Sequence, residues 1–280
     1  MSKKILMLHG FVQSDRIFSA KTGGLRKALK KMGYELDYPC APILVDKSSL
    51  MSSSSQKEVE ASVAKQFNTD LGVGKDGSEN QLYGWWQRKA GGDFYSYEIP
   101  QNTLDFLRQY IVENGPYDGV IGFSQGGGMG AYLVSDLNNL LNLSKEQQPD
   151  LKFFVAFSAF RLEPEQYAQH FKTHPISVPT LVIQGELDTV VSEARVMSLY
   201  DAILPQYRAL LKHHGGHFIP NQKPFLNQVC GWIQSVTTNP SNDEDMDIDM
   251  NSNKSSAKSS STQLQMDDDL LDMIDSMGKL

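Results

Sequence analysis

The stretch Tyr-Asp-Gly-Val-Ile-Gly-Phe-Ser-Gln-Gly-Gly-Gly-Met-Gly-Ala-Tyr-Leu-Val, residues 117–134, constrains the chain most, because its apolar period changes across one serine. Val120, Ile121 and Phe123 form a short β-branched and aromatic run after Gly115 and Pro116, which reads as a buried strand. From Gln125 onward, Met129, Tyr132, Leu133, Leu137, Leu140 and Leu141 recur at three- and four-residue steps, which reads as a helix. Ser124 stands at the junction, with Gly122 and Gly126 two positions to either side. A sharp strand-to-helix turn that displays a nucleophile needs this spacing, since a β-carbon at either flank would meet the neighbouring element. The helix N-terminus also points its positive end at the place where an oxyanion would form.

The same glycines admit two rival readings, a tightly packed structural glycine cluster and a nucleotide-binding loop. Gly126, Gly128 and Ala131 match G-x-G-x-x-G/A, a dinucleotide fingerprint. That motif expects its first Gly directly after the strand and an acidic residue at the end of the next one. Here the next apolar strand, Phe153 to Phe157, ends in Ser158. A phosphate loop of the G-x-x-x-x-G-K-[ST] type fails as well, because no Lys follows the glycines.

Strand-like runs at 4–8, 34–38, 120–123, 152–157, 180–184 and 207–211 alternate with helical patterns near 17–31, 101–113, 125–143, 190–203 and 222–236. The alternation predicts a mostly parallel sheet with helices on both faces, an α/β three-layer sandwich, over a single domain of residues 1–236. A polar excursion at about 46–81 breaks the rhythm, as a lid, a binding loop or a disordered insert would.

Charge separates the last residues from the rest. Residues 237–280 hold ten acids against three lysines, a net of −7 that equals the net charge of the whole 280-residue chain, so residues 1–236 are formally neutral. A neutral body with a disordered acidic tail gives no reason to expect nucleic acid. Within the tail Met266, Leu270, Ile274 and Met277 fall at helical spacing; the segment reads first as part of a solvated acidic tail, with a helix that forms against a protein partner as the alternative. No run of 18 apolar residues occurs, so no membrane span is expected. Two distant cysteines, Cys40 and Cys230, argue against a disulfide framework or a metal site and suit the cytoplasm, nuclear access included.

A serine nucleophile needs a base, and the base needs an acid that fixes its tautomer. The chain supplies both in the order Ser, acid, His. Strand 180–184 runs into Gly185, Glu186 and Asp188; Asp188 is the favoured acid, with Glu186 on the turn as its competitor and a helix-capping role as the alternative for Asp188. Among six histidines, His217 follows Gly215-Gly216 after the last strand, where a base could swing onto Ser124. The oxyanion hole should use the backbone N–H groups of Gln125 and, from the loop after the first strand, Phe11, where Gly10 lets the chain approach closely. His9 reads as a hydrogen-bonded turn residue. The aromatic segment 82–98 is expected to line or cover an acyl pocket, with Trp85, Trp86 and Met129 as candidate lining residues and Trp85 and Trp86 as core anchors in the alternative.

The set LHGF (8–11), YGWW (83–86), GFSQGG (122–127), GELDTVV (185–191) and GGHFIP (215–220) resembles the FSH family, the "family of serine hydrolases" branch of the α/β-hydrolases, over about residues 3–236. The resemblance implies Ser124, Asp188 and His217 as a catalytic triad, with no cofactor and no metal. Ser158-Ala-Phe160 departs from the Ser-Gly-Phe of that branch. The expected activity is hydrolysis of a small-molecule carboxylic ester or thioester. Acyl-protein or carrier-protein thioester cleavage is the nearest alternative, and a catalytically silent binding module the more distant one.

Overall fold

The computed structural model describes residues 2–45, 81–87 and 96–238. The proposed insert, apart from Gln81, and the tail beyond Thr238 lie outside the described residues. Six strands, β1 (Lys3–Leu8), β2 (Tyr34–Asp37), β5 (Gly119–Phe123), β6 (Phe153–Phe157), β7 (Thr180–Gly185) and β8 (Arg208–His213), form one sheet in the order β2-β1-β5-β6-β7-β8. Every pairing in it is parallel, as the alternation of elements predicts. β5, β6 and β7 bury all their residues, which is why they read as continuous apolar runs. A second, two-stranded sheet, absent from the expected elements, pairs β3 (Ile43–Leu44) with β4 (Tyr83–Gly84) in antiparallel fashion.

Period-two alternation along β1 shows how the layers arise. Ile5 and Met7 join the apolar cluster containing Leu25, Leu29, Val229 and Ile233. Leu6 and Leu8 join the one containing Leu107, Leu133, Leu137 and Leu199. The first face is therefore covered by helices α1 (Asp15–Lys21), α2 (Gly23–Lys31) and α7 (Lys223–Thr238). The second is covered by α3 (Gln101–Asn114), α4 (Gln125–Leu140), α5 (Glu165–Thr173) and α6 (Glu193–Tyr200).

Two boundaries differ from the sequence expectation for local reasons. The single helix expected over 17–31 is broken at buried Thr22, whose hydroxyl donates to the Phe18 carbonyl (2.8 Å) and contacts the Tyr38 hydroxyl (2.9 Å), just before Gly23-Gly24. Helix α6 begins at Glu193 rather than near 190, because the Asp188 carboxylate accepts hydrogen bonds from the Val190 and Val191 amides and turns those residues into a loop.

Candidate active site

Ser124 follows β5 with φ 53° and ψ −118°, a left-handed conformation for a residue with a side chain. Such strain costs about 1–3 kcal/mol and persists only where the surroundings enforce it. Here they do. A β-carbon on Gly122 would lie 2.5 Å from the Gly126 carbonyl oxygen, and one on Gly126 only 2.2 Å from that of Leu8 and 2.3 Å from that of His9. The Ser124 amide donates to the Phe157 carbonyl (2.9 Å) and its carbonyl accepts from Gly128 (2.9 Å), so the turn is tied to β6 and to the first turn of α4.

The remaining glycines are explained by packing rather than by a phosphate cradle. A β-carbon on Gly127 would meet that of Ala159 at 2.4 Å, and one on Gly130 would meet the Phe154 ring at 2.8 Å. They let α4 settle onto β6 and the loop after it.

The structure brings Asp188 and His217 together. Asp188, in the loop after β7, and His217, after β8, are joined by a 2.8 Å hydrogen bond from His217 Nδ1 to Asp188 Oδ2, with side chains 1% and 5% exposed. Asp188 Oδ1 accepts from Val190 and Val191 (2.9 Å each) inside a loop, and the N-cap of α6 is Ser192, so Asp188 does not cap that helix; one oxygen holds its own loop and the other holds His217. Burial alone would raise the Asp188 pKa; the hydrogen bond and charge of His217 and the two amides outweigh it and hold the carboxyl below its ordinary range. With Nδ1 donating, His217 Nε2 is the basic nitrogen, and it is buried with no hydrogen-bond partner. The imidazole packs on Phe123, the residue before Ser124, with ring centroids 4.8 Å apart. Glu186 is drawn elsewhere, to the imidazole of His214, which is 96% exposed.

The two loops proposed for an oxyanion hole are adjacent. A β-carbon on Gly10 would touch the Phe123 ring at 3.0 Å, so the first-strand loop lies against the end of β5, and Phe11 packs over Gly84. His9 is fully buried. Its Nδ1 donates to the Gly10 carbonyl (2.7 Å) and its Nε2 accepts from the Ala41 amide (3.0 Å), while burial lowers its pKa to about 4 and keeps it neutral.

Trp85, Trp86 and Met129 are all buried. The Trp85 indole donates to the His9 carbonyl (2.8 Å), and Trp86 stacks on Tyr97 at 5.2 Å and meets Phe160 edge-on at 6.4 Å. Residues 88–95 of the aromatic segment lie outside the described residues; 82–87 form a strap across the site. The Gln125 side chain and Thr103 also belong to this strap, and the sequence offered no local signal for either. Among the described residues, no group of three or more His, Cys, Asp or Glu could hold a metal ion.

A family model described as Serine hydrolase (FSH1) matches residues 1–229. The chain belongs to this serine hydrolase family. "Family of serine hydrolases 3" of Saccharomyces cerevisiae is 51% identical over 278 residues, covering 99% of this chain and 98% of that protein. "Esterase OVCA2" of Xenopus tropicalis is 28% identical over 233 residues, covering 79% of this chain and 87% of the relative. Among solved structures, esterase PE8 superimposes with a TM-score of 0.51 at 18% identity, over 84% of this chain and 93% of its own, a likeness of fold. The protein is thus a serine hydrolase of the α/β-hydrolase fold, as its FSH-like motifs implied.

Proposed function

We propose that this serine hydrolase cleaves carboxylic esters or thioesters of small molecules through an acyl-enzyme on Ser124, with Asp188 and His217 completing the triad. The observation that carries this reading is the buried Asp188–His217 pair, which leaves Nε2 as the basic nitrogen of an imidazole packed on Phe123, the residue before the strained Ser124. Nε2 takes the Ser124 hydroxyl proton as Oγ bonds to the acyl carbon. The oxyanion that forms is held by the Phe11 and Gln125 backbone N–H groups at the positive end of α4. Collapse breaks the bond to the leaving oxygen or sulfur, which departs with the proton from His217. Water then gives a proton to Nε2 and attacks the acyl carbon; release of the carboxylic acid returns the proton to Ser124.

Trp86 and Met129 bound the acyl pocket in this reading; both belong to the apolar cluster that includes Leu8 and Phe160. The catalytic unit ends with α7. Its location is the cytoplasm, which suits two free cysteines, Cys40 and Cys230; among the described residues no helix is long and apolar enough to cross a membrane. The acidic segment after α7 serves contact with a protein partner.

A catalytically silent binding module has no need of a desolvated Asp–His pair. A fluorophosphonate probe decides between them: it should label the wild type at Ser124 and leave Ser124→Ala unlabelled. Labelling that survives Ser124→Ala would overturn the assignment. A panel of oxygen esters and acyl thioesters of increasing chain length then separates the two substrate classes.

A further inference from the structure

The mechanism above uses only the backbone of Gln125, yet its side chain is among the most constrained polar groups near Ser124. The carboxamide behaves like an extra peptide unit laid against residues 85–86. Its Oε1 accepts from the Trp85 amide (2.9 Å) and its Nε2 donates to the Trp86 carbonyl (2.9 Å). Trp85 is in turn held at every polar atom. Its indole Nε1 donates to the His9 carbonyl (2.8 Å), and its own carbonyl accepts from the Thr103 hydroxyl (2.9 Å). Trp85 and Thr103 are fully buried and Gln125 is 6% exposed, so water cannot substitute for any of these partners.

This strap touches both halves of the oxyanion hole. His9 lies two residues before Phe11, whose ring lies where a β-carbon on Gly84 would meet it at 2.8 Å; the same β-carbon would be 3.1 Å from Gln125 Oε1. The imidazole of His9 also lies against the Trp85 indole, with ring centroids 5.2 Å apart. One loop comes from the end of β1, the other from the start of α4, and no backbone hydrogen bond is needed between them if both are pinned to a third element.

We infer that the Gln125 carboxamide and the Trp85 indole are positioning residues that set the separation of the Phe11 and Gln125 amides. Neither touches the reacting atoms. The inference rests on the ester-hydrolase reading of the preceding subsection. Removing one oxyanion donor outright costs about 10²–10³-fold in kcat, and a displaced donor costs part of that.

The test uses Gln125→Met, which keeps length and bulk, and Trp85→Phe, which keeps a ring but loses the N–H. In each folded variant kcat for p-nitrophenyl butyrate should fall on the order of 10- to 100-fold, with KM within about threefold of wild type. The discriminating measurement is inhibition by an aliphatic trifluoromethyl ketone, whose adduct with Ser124 carries the oxyanion. Its Ki should rise by the same factor as kcat/KM falls, while inhibition by butyrate, which resembles the ground state, stays put. Normal kcat/KM in either folded variant, or a kcat loss without a matching rise in Ki, overturns the inference and leaves a merely structural strap. Trp85→Phe answers the question if Gln125→Met does not fold. Wild-type protein inert to both the ester and a fluorophosphonate would instead overturn the ester-hydrolase reading, and this inference with it.

Discussion

Replacing Asp188 with Asn tests the site at its most determined atom. One carboxylate oxygen, Oδ1, faces two donors, the Val190 and Val191 amides, and the other, Oδ2, faces the His217 Nδ1 proton, all at 2.8–2.9 Å. An Asn can place its one carbonyl oxygen toward either set. Facing the two amides preserves two hydrogen bonds, each worth about 0.5–1.5 kcal/mol net, and avoids two buried clashes between donors. That orientation wins, and it points the Asn NH₂ at His217 Nδ1. The imidazole must then carry its proton on Nε2, the atom that should accept the Ser124 proton. The wrong tautomer at a serine–histidine pair costs about 10⁴-fold in kcat, or roughly 5.4 kcal/mol of barrier.

Stability should change far less. The lost charge-assisted bond is worth about 1.5–3 kcal/mol, and 1 kcal/mol shifts the midpoint of a domain this size by about 2–4 °C, so a drop of several degrees is expected. Steady-state hydrolysis of p-nitrophenyl butyrate beside a thermal melt measures both. Glu186→Gln is the control, since its partner His214 is solvent-exposed; its kcat/KM should stay within about twofold. A folded Asp188→Asn enzyme within tenfold of wild type, or an equal loss in Glu186→Gln, would refute the assignment of the acid.

Two further perturbations follow from the same geometry. Gly126→Ala forces a β-carbon to within 2.2 Å of the Leu8 carbonyl oxygen, so the β1 loop must move; it should cost at least about 3 kcal/mol in a denaturant titration, whereas Gly231→Ala, exposed on α7 with nothing within 4 Å, should add about 0.5–1 kcal/mol. His9, neutral in the fold with its pKa near 4, is protonated in the unfolded chain below about 6.5; its contribution is therefore complete above pH 6.5 and is lost as pH falls toward 4, on the order of 3 kcal/mol in all, and in His9→Gln the fall of thermal midpoint over that window should be shallower by about one proton, an unchanged slope counting against the buried neutral imidazole.

The residues of the site were readable because each follows a strand whose composition marks its end. Phe123-Ser124 closes an unbroken apolar run, Gln184-Gly185 closes another, and Gly215-Gly216 leaves the last. Sequence favoured Asp188 over Glu186, but what each one pairs with depends on distant partners. Glu186 and Asp188 are both acids in one turn, and the structure sets His214 beside one and His217 beside the other. The strap was unreadable for the same reason. Gln125 meets residues some 40 positions away and the Trp85 indole meets a carbonyl 76 positions away, contacts that no local period or propensity encodes. At Thr22 the miss was local but still tertiary, since its hydroxyl is also used by Tyr38.

The strained serine is held by the sheet rather than by its loop. The ladder of backbone hydrogen bonds runs one step past each strand: Ser124 donates to Phe157, Ser158 to Ile183 and Glu186 to His213. Ser158 repeats the positive φ of Ser124 at the end of the adjacent strand (45° and 53°), so each chain turns off sharply at its last ladder bond. Asp188 then donates to Gly185 within its own turn, and Leu187 donates to Gly215, which ties the Asp188 loop to the loop that carries His217. A strain of about 1–3 kcal/mol at Ser124 is small beside the burial of Val120, Ile121 and Phe123, each worth about 1.5–3 kcal/mol. Relaxing the turn would pull Ser124 off Phe157 and Gly126 off the β1 loop together, so the strained conformation is the one that keeps β5 in register.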